Sequence, residues 1–324
     1  MDENLNKLLV SEIQKCLPEK KRVVPYLMET LGLGRESIYR RLRNNIPFSV
    51  KEIVKLSIEL GFSIDEVTAR SSNNRVFFDL PSTDSTDPMK IYSEYMSDTI
   101  HILKKLNKSK NSQIISVHNR LPLSLIIHLK NLSKFLYFRW LHQTHNIPLN
   151  FSLSDIHIPI ETYSLYNSLY YNYMKMEEIS TILDESIFSS VIREITYYYK
   201  RNIIKKDELT ALKEELNQVI DRMEVLTEKG TNDAGTKINL FISSFRVEST
   251  YFCFEYNDGI YTQVWSHIMP PITMNKPEIC TVQKKRIEAY KKFSILITQC
   301  NEIQRSEYLN KQRKLINGMT KDLV

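Results

Sequence analysis

The sequence predicts a mainly α protein with a small antiparallel sheet in its C-terminal part (α+β), preceded by an all-α N-terminal helix-turn-helix bundle. Three observations predict it. Glycine is scarce, 7 residues in 324, while 42% of the residues are hydrophobic, so few positions loosen the backbone and more than one core can be buried. Apolar residues recur at helical spacing along most of the chain. The exception is the stretch 237–268, where β-branched and aromatic residues gather around a turn signal.

The elements follow in order. Helices are expected at Leu5–Cys16, Lys21–Leu31, Arg35–Arg43, Val50–Leu60 and Ile64–Arg70, punctuated by Pro18, Gly32-Leu33-Gly34, Pro47 and Gly61. They make one small domain, 1–72. A linker, 73–88, follows, because Pro81 to Pro88 is built of Ser, Thr, Asp and Pro, which favour turns. The remainder, 89–324, reads as an α-rich regulatory and dimerisation domain. Helices Met89–Leu106 and Leu123–His145 flank a strand at Gln113–Val117, and Ile158–Lys229 reads as several more helices. Strands are expected at Ile238–Phe245, Thr250–Tyr256 and Ile260–Ile268, with Asn257-Asp258-Gly259 as a hairpin turn. From Val282 to Met319 the pattern is helical again, with Gly318 as a cap.

The net charge of +6 is mild, but its distribution is not even. From Lys20 to Arg43 seven basic residues face two acidic ones. The four cysteines, Cys16, Cys253, Cys280 and Cys300, form no C-x-x-C pair, so neither a disulfide framework nor a zinc site is signalled, and a cytoplasmic location is expected. The start, Met-Asp-Glu, has no apolar signal stretch, and the most apolar long segment, Leu121–Tyr137, is broken by His128, Lys130, Asn131 and Lys134. No membrane association is expected. P-loop, G-x-S-x-G, G-x-G-x-x-G and H-E-x-x-H motifs are absent, so neither enzyme activity nor a cofactor is expected. His142 and His145 stand three apart without a carboxylate or cysteine at matching spacing, and no metal site is assigned to them. The tyrosines at 163, 166, 170, 171, 173 and 197–199 read as core bodies with wet hydroxyls, with an aromatic ligand pocket as the alternative.

Between Val23 and Arg43 two helical patterns meet at a turn carrying Gly32, the layout of a helix-turn-helix. Leu27, Leu31, Leu33, Ile38 and Leu42 close its core, since Ile38 and Leu42, four apart, share a face. The opposite face presents Glu36, Ser37, Tyr39, Arg40 and Arg43. A helix entering the major groove needs that composition: side chains at its start read base edges while cations and hydroxyls hold phosphates. Arg40 can offer its fork to a guanine, and Ser37 or Glu36 can read a neighbouring base. Tyr39, Arg41 and Arg43 suit phosphates, as do Lys20, Lys21 and Arg22. Arg35 and Asn44, at the two ends of the helix, complete the DNA-binding set.

Three phrases carry a resemblance: Leu31-Gly32-Leu33-Gly34-Arg35-x-Ser37-Ile38, then Pro47-Phe48-Ser49-x-x-Glu52-Ile53-Val54-x-Leu56, then Leu60-Gly61-Phe62-Ser63-Ile64-Asp65-Glu66-Val67. Residues 20–70, about a quarter of the chain, resemble the Cro/phage-repressor (Xre-like) helix-turn-helix domain, of a kind common in Bacteroidetes bacteria. The resemblance implies that the helix after the glycine turn reads DNA, that a proline-containing loop follows, and that a further helix ends at Leu-Gly.

Leu209, Leu212, Leu216, Val219, Met223 and Leu226 recur at spacings of three and four, an a/d seam that could pair two protomers or pack inside the domain. The function expected is a sequence-specific transcriptional regulator: double-stranded DNA as partner, a homodimer, and a small-molecule or protein effector sensed by the C-terminal region. The alternative is a protein-interaction module that uses the helical C-terminal region and keeps the small domain as an anchor.

Overall fold

Glycines and capping side chains set the length of the first helices. In the computed structural model these are α1 (Asp2–Cys16), α2 (Val23–Leu31), α3 (Arg35–Leu42), α4 (Val50–Leu60) and α5 (Ile64–Ala69). The structure describes residues 2–17, 23–69, 88–144, 148, 150–257, 259–265 and 271–319. The chain divides into two compact units, 1–78 and 79–324. Of the expected linker, 73–88, only Pro88 lies within the described residues, and there a helix already begins.

Gly32 stops α2 by turning to φ +67°, a conformation costly for any residue with a Cβ, while its N–H still bonds Met28 O at 2.9 Å. Ser49 starts α4 with a capping box: its hydroxyl accepts from Glu52 N at 3.3 Å, and the Glu52 carboxylate accepts from Ser49 N at 2.8 Å. The five helices close on Leu9, Ile13, Leu27, Ile38, Leu56 and Val67, with Phe48 and Phe62 from the loops. Leu31, Leu33 and Leu42 are partly buried against that core.

The second unit runs α6 (Pro88–Leu106), β1 (Gln113–His118), α7 (Leu123–Ile126), α8 (Lys130–Thr144), α9 (Ile160–Tyr173), β2 (Glu178–Asp184), α10 (Ile187–Lys200), α11 (Lys206–Lys229), β3 (Lys237–Ser243), β4 (Thr250–Tyr256), β5 (Gly259–Trp265), β6 (Ile272–Met274), α12 (Pro277–Lys291), β7 (Ser294–Leu296) and α13 (Glu302–Gly318). An α+β organisation holds, but the sheet is neither small nor purely antiparallel. Among the described residues it has seven strands in the order β6-β5-β4-β1-β2-β3-β7. β1, β2 and β3 are parallel, and the remaining pairings are antiparallel.

β2 is buried on both faces after its first residue, and its sequence, Glu-Ile-Ser-Thr-Ile-Leu-Asp, lacks the strict apolar–polar alternation that marks a half-exposed strand. β2 therefore lies unannounced inside the region expected to be all helix. The β4–β5 hairpin forms where expected, Tyr256 pairing with Gly259, with Asp258 outside the described residues. β3 does not join that hairpin; it pairs with β2 and β7 instead. The single C-terminal helix expected from Val282 is two helices with β7 between them.

One face of the sheet, with Ile115, Val117 and Ile182, packs on Ile287 of α12. The other, with Ile114, Ile179 and Leu240, carries the main core, which takes Met96 from α6, Phe138 from α8, Leu169 from α9, Ile195 from α10, Leu216 from α11 and Ile316 from α13. Helices α7 to α9 connect β1 to β2, and α10 and α11 connect β2 to β3, after which the chain returns to the far side of β1 to lay down β4. β4 runs antiparallel to β1, so its first residues lie beside the C-terminal end of β1.

Candidate nucleic-acid interface

Helix α3 is short and sits on one buried anchor, Ile38, in the centre of the N-terminal core. Because that face turns inward, the stripe at 35, 36, 39, 40 and 43 turns outward. Arg35, Glu36, Arg40 and Arg43 are exposed, and Tyr39 and Ser37 are half-buried. Tyr39 lies between two guanidiniums, with Arg35 Cζ 5.7 Å and Arg43 Cζ 5.5 Å from its ring centroid. The ring holds both cations to the helix and so lowers the entropy they lose when an anion arrives. The outward stripe carries three guanidiniums and one carboxylate.

Arg41 departs from the expected set. Its guanidinium turns sideways to α4, with Nε 3.0 Å from Glu52 Oε2 and Nη2 2.9 Å from Glu52 Oε1, and its Nη1 donates to Ser37 O at 3.3 Å. The side chain is only 14% exposed. It is a strut between helices and is not presented for a phosphate. Burial pushes the Glu52 carboxyl up, but the hydrogen bonds from Arg41 and Ser49 outweigh it and leave the pKa below its ordinary value. Lys20, Lys21 and Arg22 lie outside the described residues.

Asn44 is half-buried at φ +61°, where the chain leaves α3. Its side-chain oxygen accepts from Asn6 Nδ2 at 2.6 Å, so it too is engaged in the fold. Asn6 is a positioning residue outside the set expected from the sequence. Buried on α1, it also donates to Arg41 O at 3.3 Å and accepts from Phe48 N at 3.1 Å, fixing the end of α3 and the loop after it. A polar residue within the apolar spacing of α1 is the one trace it leaves in the sequence.

Comparison with family models, curated proteins and solved structures finds no match to this chain.

The expected pairing seam of the second unit is consumed by its own core. Leu209, Leu212, Leu216, Val219 and Met223 are 0–3% exposed, and Leu226 packs against the same cluster. Between them Glu215, also buried, accepts from Asn131 N and Leu132 N at 2.7–2.9 Å, capping α8 from α11. Helix α11 is an internal pillar and offers this stripe to no second protomer. His142 Nδ1 lies 3.3 Å from Tyr198 OH, and His145 is outside the described residues. Among the described residues no group of three His, Cys, Asp or Glu is placed to hold a metal ion, and no helix is long and apolar enough to cross a membrane. Of the tyrosines, Tyr166 and Tyr198 are buried in the core while Tyr163, Tyr171 and Tyr197 are exposed. The four cysteines form no disulfide.

Proposed function

We propose that the protein is a sequence-specific DNA-binding transcriptional regulator whose N-terminal unit is a helix-turn-helix domain, with α3 entering the major groove. The observation that carries this reading is the exposed stripe Arg35, Glu36, Arg40 and Arg43 on a helix anchored by Ile38. An α-helix with its side chains is roughly 10–12 Å across, which suits a groove about 12 Å wide. Arg40, at the middle of the stripe, is the base-reading side chain, while Arg35 and Arg43, held by Tyr39, take flanking phosphates. The protein acts as a homodimer on two half-sites about 34 Å apart, one turn of B-DNA, because one short helix reads too few base pairs for specificity. The alternative is a protein-interaction module that uses the helical C-terminal region; the packing of the Leu209–Leu226 stripe into its own unit's core argues against that stripe as its surface.

Selection of duplexes from a random pool by the full chain tests the reading. A selected site should be bound at least about a thousandfold more tightly than an arbitrary duplex at near-physiological salt, roughly the low end of specific recognition, with affinity falling steeply as salt rises. Equal affinity for selected and arbitrary duplexes would overturn it.

A further inference from the structure

Beside the C-terminal end of β1 the second unit encloses a cavity of about 180 Å³. Roughly 150 Å³ suffices for benzene in an engineered apolar cavity, so the space matches one ring with short substituents. Its walls are aromatic. Tyr92 packs on Trp140 at 4.7 Å and Phe252 on Trp265 at 6.4 Å, and all four rings line the cavity.

Two features make it more than a packing gap. The first is His118, the last residue of β1, which is 4% exposed and lines both this cavity and a smaller one of about 60 Å³ behind it. Its ring meets Phe252 edge-on at 5.1 Å, and its Nε2 has no hydrogen-bond partner. A buried polar atom left so costs stability, and a ligand group can satisfy it. Burial pushes the imidazole down to about 3, so it meets a ligand neutral, able to donate or accept one hydrogen bond.

The second is charge. Arg120, two residues beyond His118, and Arg139 of α8 both line the cavity and are half-buried. Burial, and then the neighbouring Arg139, depress the pKa of Arg120. Glu194 accepts from Arg139 Nη1 at 2.5 Å; it is not in the lining of this cavity and, with both arginines, lines a neighbouring pocket of about 30 Å³. Each guanidinium fork carries five donors, and an anion between two forks is the partner such a geometry suits. Among the described residues the one carboxylate of the lining is Glu248, which is exposed.

We propose that this cavity binds a one-ring aromatic acid carrying a second polar group, with its ring against Tyr92 and Phe252, its anion on Arg120 and Arg139, and its polar group on His118. The cavity lies wholly within the second unit, so the proposal stands or falls apart from DNA binding. It supplies a chemical class for an effector.

The chain's two tryptophans, Trp140 and Trp265, both line the cavity, which makes indole fluorescence a local reporter. Titrating 4-hydroxyphenylacetate into the full chain, with excitation where indole alone absorbs, should give saturable quenching. The neutral 4-hydroxyphenylacetamide should bind about tenfold more weakly, the usual cost of losing one charge-assisted bond. Phenylacetate, which cannot reach His118 with a polar group, should be intermediate. Arg120→Gln should weaken the acid about tenfold and leave the amide unchanged. No saturable response to the acid at millimolar concentration, or equal binding of acid and amide, would overturn the proposal. The acid–amide comparison uses the unaltered protein, so it decides the matter even where the variant does not fold.

Discussion

Arg41 and Glu52 form a two-pronged ion pair across α3 and α4, at 3.0 and 2.9 Å, while the same carboxylate accepts from Ser49 N to cap α4. One glutamate thus joins the capping of the scaffold helix to the angle of the helix proposed to read DNA. The basic run is split by this pair into cations that face outward and one that holds the fold.

That split predicts two kinds of variant. Arg40→Ala and Arg43→Ala should leave folding intact, and each should lower the slope of log affinity against log salt, by about 1 if its contact is to a phosphate. Arg40→Ala should in addition flatten the preference among sequences. Arg41→Ala should instead cost about 1–3 kcal/mol in the N-terminal unit, since it leaves a half-buried carboxylate without its partner. Hydrogen exchange of the α3 and α4 amides, beside binding isotherms at several salt concentrations, separates the two classes. An Arg41→Ala protein with unchanged protection and a reduced salt slope would contradict the strut.

Glu52 also sets a pH dependence. Its carboxyl is held below the ordinary value of 4.5 in the folded chain, so folding favours the ionised form. The stability this supplies is fully present above the unfolded value and is lost as pH falls through the folded one. Protection of α3 and α4, corrected for intrinsic exchange, should fall as the pH drops through 4.5 and below it. Glu52→Gln should start lower at neutral pH and show a smaller fall over that range.

Much of the N-terminal unit was legible because its signals are local: glycine at Gly32 and Gly61, serine three residues before Glu52, and apolar spacing on each helix. The direction of Arg41 was not, because it depends on a partner eleven residues away on another helix. In the second unit the β4–β5 hairpin was readable from its turn. β2 was hidden by burial on both faces, and the placement of β3 beside β2 rests on pairings no local window contains. The cavity was out of reach for the same reason: His118, Trp140 and Trp265 meet in space after long separations in the chain. Of its lining only the tyrosine-rich composition gave a hint, and the tyrosine that lines it, Tyr92, was not among those singled out.

Asn6 should behave as a clamp. Asn6→Ala removes the acceptor for Phe48 N and the donor for Asn44 Oδ1 and Arg41 O, which leaves a buried N–H without its bond. A loss of about 1–3 kcal/mol is expected, with exchange rising first at the end of α3 and in the loop to α4. Because the clamp orients α3, affinity for a selected duplex should fall too, even though Asn6 lies outside the exposed stripe. Unchanged exchange and unchanged affinity would remove it from that role.

Leu216 decides what α11 is for. It is fully buried in the core shared with α8 and α13, next in the chain to Glu215, which caps α8. If α11 is an internal pillar, Leu216→Ala leaves a cavity and should cost about 2–5 kcal/mol in the second unit. The association state should not respond to it, because no second protomer touches that side chain. Denaturation followed by indole emission reports the cost, since both tryptophans lie in this unit. Sedimentation of the folded variant reports the association state. Were the seam a dimer contact, Leu216→Ala would shift the protein toward monomer while its denaturation midpoint at high concentration stayed close to that of the parent; the burial of the whole stripe argues for the opposite result.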